Sequence, residues 1–176
     1  MEMIGTTILA VLRDGHLAIA GDGQVTMGNQ IVKGHAHKVR RLYHGKILGG
    51  FAGHTADAIT LFERFEAKLE GASGNLKKAA VDLAKEWRTD RVLRRLEAML
   101  LVGNNEEILV ISGQGDVLEP DESMTSIGSG APMAISAARA LLRHTQLSAE
   151  DIARISLGIT AESCIYTNTS IQVETL

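Results

Sequence analysis

Apolar positions along this chain switch repeatedly between alternating and helical spacing. Thr6 to Leu12 (TTILAVL) is β-branched and apolar, Asp14-Gly15 is a two-residue hairpin signal, and His16 to Ala20 reads as the returning strand. Gly21-Asp22-Gly23 breaks that strand, and a loop rich in glycine and polar residues is expected to reach about His37. Val39 to Leu42 and Lys46 to Phe51 form a second hairpin around His44-Gly45. The period then changes. Ile59, Phe62, Phe65 and Leu69 recur at helical spacing behind a cap at Thr55, and Leu76, Ala79, Ala80, Leu83 and Trp87 repeat the pattern behind Asn75. Strands return at Met99 to Val102, Ile108 to Ser112 and about Val117 to Leu118. A third helix is predicted from about Pro132 to His144, and a fourth from the capping box Ser148-Ala-Glu-Asp151. Short strands near Ile165 and Ile171 to Val173 close the chain.

Two strand groups, each followed by a helix pair, predict two sheets packed face to face with helices outside. A doubly wound parallel sheet needs strands and helices to alternate singly, and they do not. The expected fold is a mixed α/β (α+β), four-layer αββα sandwich, with a single domain over 6–176. Residues 1–5 are left in front of the first strand.

Composition adds little but excludes much. The 176 residues are 45% hydrophobic and 22% charged with a formal net charge of −3, so no global charge points to nucleic acid or an acidic membrane. Aromatics are only 3%, which leaves few platforms for stacking bases. One cysteine, Cys164, cannot form an internal disulfide. No apolar run approaches the roughly 18–20 residues that cross a bilayer, and Met1 to Gly5 is too short for a secretory signal. A cytoplasmic protein with no membrane and no nucleic-acid partner is expected.

Several residues are capable of chemistry, and each has an ordinary alternative. Thr6, behind the small Gly5, either opens a strand or serves as a nucleophile. A threonine hydroxyl needs a base. An α-amine freed at Thr6, with an ordinary pKa of about 7.7–8, suits that work. Asp22, between two glycines at a strand end, is either a turn aspartate or an orienting carboxylate. Lys38 shares one strand face with Arg40, either solvated or turned toward a site where it favours anionic charge. Gly49-Gly50-Phe51-Ala52-Gly53 leads from a strand into a helix and can lay backbone N–H groups beside a substrate. It matches neither GxxxxGK[ST] nor GxGxxG. Ser129, in Gly128-Ser129-Gly130, either precedes a helix cap or bonds a nearby amine. Arg88, Arg91, Arg94 and Arg95 are expected to form a basic strip on the second helix, a solvated face or a partner contact.

Taken together, GTTI, AGDGQVT, HKVRRL, GGFAG, TADAITLFERFEAKLE, WRTDRVLRRLEA, IGSGAP and CIYTN stand in the order found in the HslV (ClpQ) family. These are the bacterial relatives of proteasome β subunits, and the resemblance spans the chain from Thr6. It implies the N-terminal nucleophile hydrolase fold and a threonine-type endopeptidase. It implies removal of residues 1–5 as a short propeptide, with Thr6 as nucleophile and its freed amine as base. Asp22 and Lys38 match the activating carboxylate and lysine, Gly50 the oxyanion N–H, and Ser129 the serine supporting the amine. The resemblance further implies two stacked six-membered rings and an ATPase hexamer, HslU (ClpY), which feeds in unfolded protein; ATP binds that partner and not this chain. It also implies a structural sodium on main-chain carbonyls at Ala161, Cys164 and Thr167. Departures from the family pattern are Ala131 and Met133 around Pro132, Ala161 for glycine, Ser163 for isoleucine, and His54 for a small residue, which is expected to point to solvent.

Overall fold

The first hairpin sets the layering. In the computed structural model, which describes residues 3–176, strand β2 (Thr7–Arg13) pairs antiparallel with β3 (His16–Gly21), from Ile8 opposite Gly21 to Arg13 opposite His16. Asp14 and Gly15 both take positive φ, 53° and 74°, as a primed two-residue turn requires. Side chains alternate across the hairpin, and both faces are apolar. Ile8, Ala10, Leu17 and Ile19 pack toward Val39, Leu48, Leu101 and Val110. Leu9, Val11, Ala18 and Ala20 pack the other way, toward Ala134, Ala138, Ile152 and Leu157. Burial on both sides is why the strand reads as a continuous apolar run instead of alternating with polar residues.

The first of these clusters is the seam between two sheets. One sheet runs β11 (Met124–Gly128), β2, β3, β12 (Gln172–Thr175). The other contains β6 (Val39–Leu42), β7 (Ile47–Ala52), β8 (Met99–Gly103), β9 (Ile108–Ser112) and β10 (Val117–Leu118), antiparallel throughout. Helices α1 (Thr55–Gly71) and α2 (Leu76–Thr89) cover the outer face of the five-stranded sheet through Phe62, Phe65, Leu69, Leu83 and Trp87. Helices α3 (Ala131–His144) and α4 (Ala149–Ser163) cover the four-stranded one. The four-layer αββα order matches the expectation. Two predicted caps operate: Asn75 Oδ1 accepts from Lys78 N at 2.9 Å, and Ser148 Oγ from Asp151 N at 3.1 Å.

Five local expectations are corrected. Thr55 is not a cap: it is the first residue of α1, and His54 holds the N-cap position without a side-chain bond. A third sheet of β1 (Met3–Ile4), β4 (Val25–Met27) and β5 (Gln30–Lys33) occupies the stretch expected to be loop. Every residue of β5 is exposed, so it carries no apolar alternation that periodicity could detect. Strand β11 was not expected either; its MTSIG is short and half polar, and Ser126 Oγ bonds Ile8 O across the sheet at 2.6 Å. Ile165, expected in a strand, lies in a turn and is 78% exposed. The basic strip is not one helix face: α2 ends at Thr89, Asp90 Oδ1 accepts from Val92 N and Leu93 N, and a 3-10 turn follows at Leu93–Arg95.

Gly50 sits where the two sheets come closest. A Cβ there would lie 2.4 Å from Ile8 Cγ2, so only glycine lets β7 approach β2. Gly50→Ala should lower unfolding free energy by about 1–3 kcal/mol through overpacking. Ile8→Ala in the same chain should recover part of that loss, and chemical denaturation of the two singles and the double checks it. Strictly additive losses would show that Ile8 is not the obstacle.

Candidate active site

A carboxylate at the end of β3 organises the site. Asp22 follows Gly21, the last residue of β3, and is fully buried. Its Oδ1 accepts from Thr7 N and Lys38 Nζ, each at 2.9 Å, and its Oδ2 from Gln24 N at 2.9 Å and Asn168 N at 3.4 Å. Four donors converge on one ionised group, the arrangement a buried charge requires. Asp22 N in turn donates to Thr7 O at 3.3 Å, so carboxylate and backbone together grip the residue after Thr6.

Lys38, immediately before β6, enters from the facing sheet with its side chain 8% exposed. Its ammonium has three hydrogens and three acceptors: Asp22 Oδ1 at 2.9 Å, Gln24 O at 2.6 Å and Gly5 O at 2.8 Å. Burial pushes the lysine below its ordinary value of 10.5, and the Asp22 carboxylate opposes that shift without cancelling it.

Thr6 lies between these groups and the 128–130 turn. Its Oγ1 donates to Gly5 O at 2.8 Å, the same carbonyl that Lys38 holds. Its own carbonyl accepts from Ser129 N at 2.8 Å. Ser129 is therefore next to Thr6 through its backbone, with an exposed side chain. Gly50 lies across β6 from Val39, one residue beyond Lys38, and behind Phe51, which lines the neighbouring cleft. That cleft is bounded by Gly5, Thr6, Lys38 and Arg40 and by the apolar Phe51, Ala58, Ile59 and Phe62. The Arg40 guanidinium stands 5.5 Å from the centre of the Phe62 ring. His54 is half-buried at the start of α1, between Gly53 and Thr55, which both line the cleft; the solvent-facing position expected for it is only partly realised.

Thr6, Asp22 and Lys38 thus form one site, which Ser129 joins through its backbone, while Gly50 lies in β7 between Val39 and Leu101, behind the cleft and against Ile8. Two residues that sequence reading passed over complete the site. Gln24 is buried, and its Nε2 donates to Thr26 Oγ1 at 3.0 Å and Ile165 O at 2.9 Å. Asn168 joins three segments: its Oδ1 accepts from Gly23 N at 3.1 Å, its Nδ2 donates to Gly34 O at 2.8 Å, and its N reaches Asp22. The AGDGQVT and CIYTN elements contained both residues, but nothing in either element says that the two meet.

The chain matches the proteasome subunit family over residues 3–176. It belongs to that family. The structure of eukaryotic HslV from Trypanosoma brucei is 45% identical, covers 97% of this chain and 98% of its own, and superposes with a TM-score of 0.92. Thiobacillus denitrificans BPH, solved alone and in complex with epoxomicin, is 21% identical with 97% coverage of both chains; TM-scores of 0.73 and 0.74 show the shared fold. The N-terminal nucleophile hydrolase fold is therefore established, and the chain is a hydrolase of the threonine endopeptidase type. No helix among the described residues is long and apolar enough to cross a membrane.

Ala161, Cys164 and Thr167, the residues expected to hold a sodium, fall at the C-terminal end of α4 and in the turn that follows it. Ala161 is in the last turn of α4 and Cys164 caps it, where helix carbonyls lack intrahelical partners and the dipole favours positive charge. Ala161 is not among the described residues with positive φ, so alanine replaces glycine there without strain. Cys164 O accepts from Thr167 N at 3.0 Å, which leaves it a second lone pair.

Removing Lys38 strands the Asp22 charge. Lys38→Met should lower unfolding free energy by about 3–5 kcal/mol. Because the folded lysine titrates below 10.5, the unfolded chain binds more protons than the folded one between those two values. The contribution of Lys38 to stability therefore rises with pH across that interval. The gap in urea midpoint between wild type and Lys38→Met should widen as pH rises toward 10.5. A narrowing gap would mean that the fold favours the ammonium over the neutral amine.

Proposed function

We propose that this chain is the peptidase subunit of an ATP-dependent protease that degrades unfolded proteins to short peptides through an acyl-enzyme on Thr6. One observation carries the reading: Gly5 O is held at 2.8 Å by both Thr6 Oγ1 and Lys38 Nζ, so a peptide carbonyl already occupies the position of attack. Residues Met3–Ile4 reach it as a strand antiparallel to β4, with Ile4 opposite Thr26. A substrate enters the same way, adding its backbone to the β4 edge and laying the side chain before the scissile bond into the apolar cleft.

With residues 1–5 attached, the Thr6 nitrogen is an amide and cannot take a proton. Their removal frees both the strand edge and the amine. The propeptide leaves by the chemistry that later cleaves substrates. Thr6 Oγ1 attacks the Gly5 carbonyl, the hydroxyl proton passes to the Thr6 nitrogen as the C–N bond breaks and the ester forms, and water hydrolyses the ester to release the propeptide acid and the free amine. Gly5 has φ 126°, and a Cβ on it would lie 3.0 Å from Thr26 Oγ1, so this carbonyl is presented only by glycine.

In the mature site the Thr6 amine takes the hydroxyl proton as Oγ1 attacks the substrate carbonyl. The Lys38 ammonium, fixed by Asp22 and Gln24 O, favours the developing alkoxide. The Gly50 N–H stabilises the oxyanion, and the Ser129 hydroxyl supports the amine. Collapse expels the amine product with the proton, and a water activated by the same amine hydrolyses the acyl-threonine. The backbone carbonyls of Ala161, Cys164 and Thr167 would hold a sodium ion, whose charge would steady the turn behind the site. Two stacked six-membered rings enclose the sites in the cytoplasm, and the HslU hexamer, which binds the ATP, threads substrate in. The whole-chain likeness to HslV supports these last assignments.

Intact mass spectrometry of the purified protein, alone and with the ATPase, should show loss of residues 1–5. Thr6→Ala should retain them and lose peptide hydrolysis by a factor of about 10³ or more, as for removal of other catalytic nucleophiles. Full activity with all five residues in place would overturn the mechanism.

A further inference from the structure

Freeing Thr6 makes it a chain end, and chain ends fray unless tied down. The Gly5 peptide that holds it on one side is gone. Of the bonds described, the Ser129 N–H to its carbonyl remains, together with whatever secures the next residue. That residue, Thr7, is fully buried, and its hydroxyl lies 2.7 Å from the Thr167 hydroxyl, 160 residues away in sequence. Gly130 N donates to the same Thr7 Oγ1 at 3.0 Å. Valine has nearly the same shape and suits a buried strand as well, and it would avoid burying a polar group. The hydroxyl is therefore tolerable only because both partners engage it.

Thr167 belongs to a turn that braces the Asp22 side of the site. Its N–H closes onto Cys164 O, Ile165 O receives the Gln24 amide, and Asn168 contacts Asp22, Gly23 and Gly34. The Thr7–Thr167 pair is where this turn meets the nucleophile strand directly. We propose that the buried Thr7–Thr167 hydroxyl pair is a positioning device that fixes Thr6 after propeptide removal and makes peptide hydrolysis depend on the geometry of the 164–168 turn. This rests on the peptidase reading. Neither hydroxyl reacts. They hold the Thr7 backbone so that the Thr6 amine and hydroxyl stay aligned with Lys38.

The test compares Thr7→Val, Thr167→Val, the double variant and the two serine variants, all in the full chain with its ATPase. Propeptide removal is followed by intact mass, and kcat and KM are measured with a fluorogenic tripeptide. Each valine variant should slow propeptide removal and lower kcat by about tenfold or more, because small displacements of reacting groups are that damaging. KM should stay within about twofold, since the β4 edge and the cleft are untouched. Thr7→Ser and Thr167→Ser keep a hydroxyl and should restore most of the rate. The double variant should lose no more than Thr7→Val alone, which already breaks the shared bond to Thr167 together with the Gly130 N–H contact. Should valine at either position block folding, Thr167→Ala breaks the same pair and is expected to give the same loss in kcat. Unchanged kcat in the valine or alanine variants, a rise confined to KM, additive losses, or serine variants as slow as valine would each overturn the positioning role. Hydrolysis by wild type that Thr6→Ala leaves intact would instead sink the peptidase reading. Thr6-dependent hydrolysis that is indifferent to Thr7 and Thr167 sinks only the positioning role.

Discussion

Asp22 is a carboxylate with no exposed surface, held against the ammonium of Lys38, which has almost none. In an apolar seam such a pair persists only when its remaining lone pairs and protons are met, and here they are met by backbone from three separate stretches of chain, 5–7, Gln24 and Asn168. Thr7, Gln24, Gly5 and Asn168 are all placed by this requirement. The pair comes from facing sheets, Asp22 from the end of β3 and Lys38 from the start of β6. The sandwich therefore has to close in register before either charge is compensated. Packing between the sheets and assembly of the site are the same event.

On the proposed mechanism, the ion pair would let an unreactive precursor and a reactive enzyme share one architecture. Lys38 spends two of its three hydrogens on fixed acceptors, Asp22 Oδ1 and Gln24 O, and directs the third at the Gly5 carbonyl. Removing Gly5 leaves the ammonium in place with that third hydrogen aimed toward Thr6. No rearrangement of the core is needed, only departure of a short strand lying on an edge. That strand pairs with β4 and not with either large sheet, so its loss leaves the two sheets intact.

Glycines and small residues divide the labour around this centre. At Gly50 the sheets touch through Ile8, and the close approach brings β7, with Phe51, over the cleft beside Thr6. On the other side, the 164–168 turn leaves α4 and returns beneath Asp22, where Asn168 and Thr167 replace the water that a loosely packed site would admit. Polar groups buried this deeply are stable only as a completed network. That makes Gln24 and Asn168 as necessary to the arrangement as the residues expected to react.

Much of this was legible in the chain. The Asp14-Gly15 turn, the Asn75 and Ser148 caps and the apolar stripes of the first two helices depend on neighbours a few residues away, and they stand as read apart from Ile59, which is exposed. The reactive residues stood out through the whole-chain family resemblance; singly, Thr6 was as good a strand opener as a nucleophile, and Asp22 as good a turn residue as an orienting carboxylate. What tertiary structure alone decided is non-local. Strand β5 forms without any apolar alternation because β4 offers its backbone, and β11 forms because β2 lacks a partner on that edge. Gln24 meets Ile165 across 141 residues, Gly23 meets Asn168 across 145, and Thr7 meets Thr167 across 160. A buried polar side chain identifies itself only when both partners are in place, and no local spacing specifies a partner so distant.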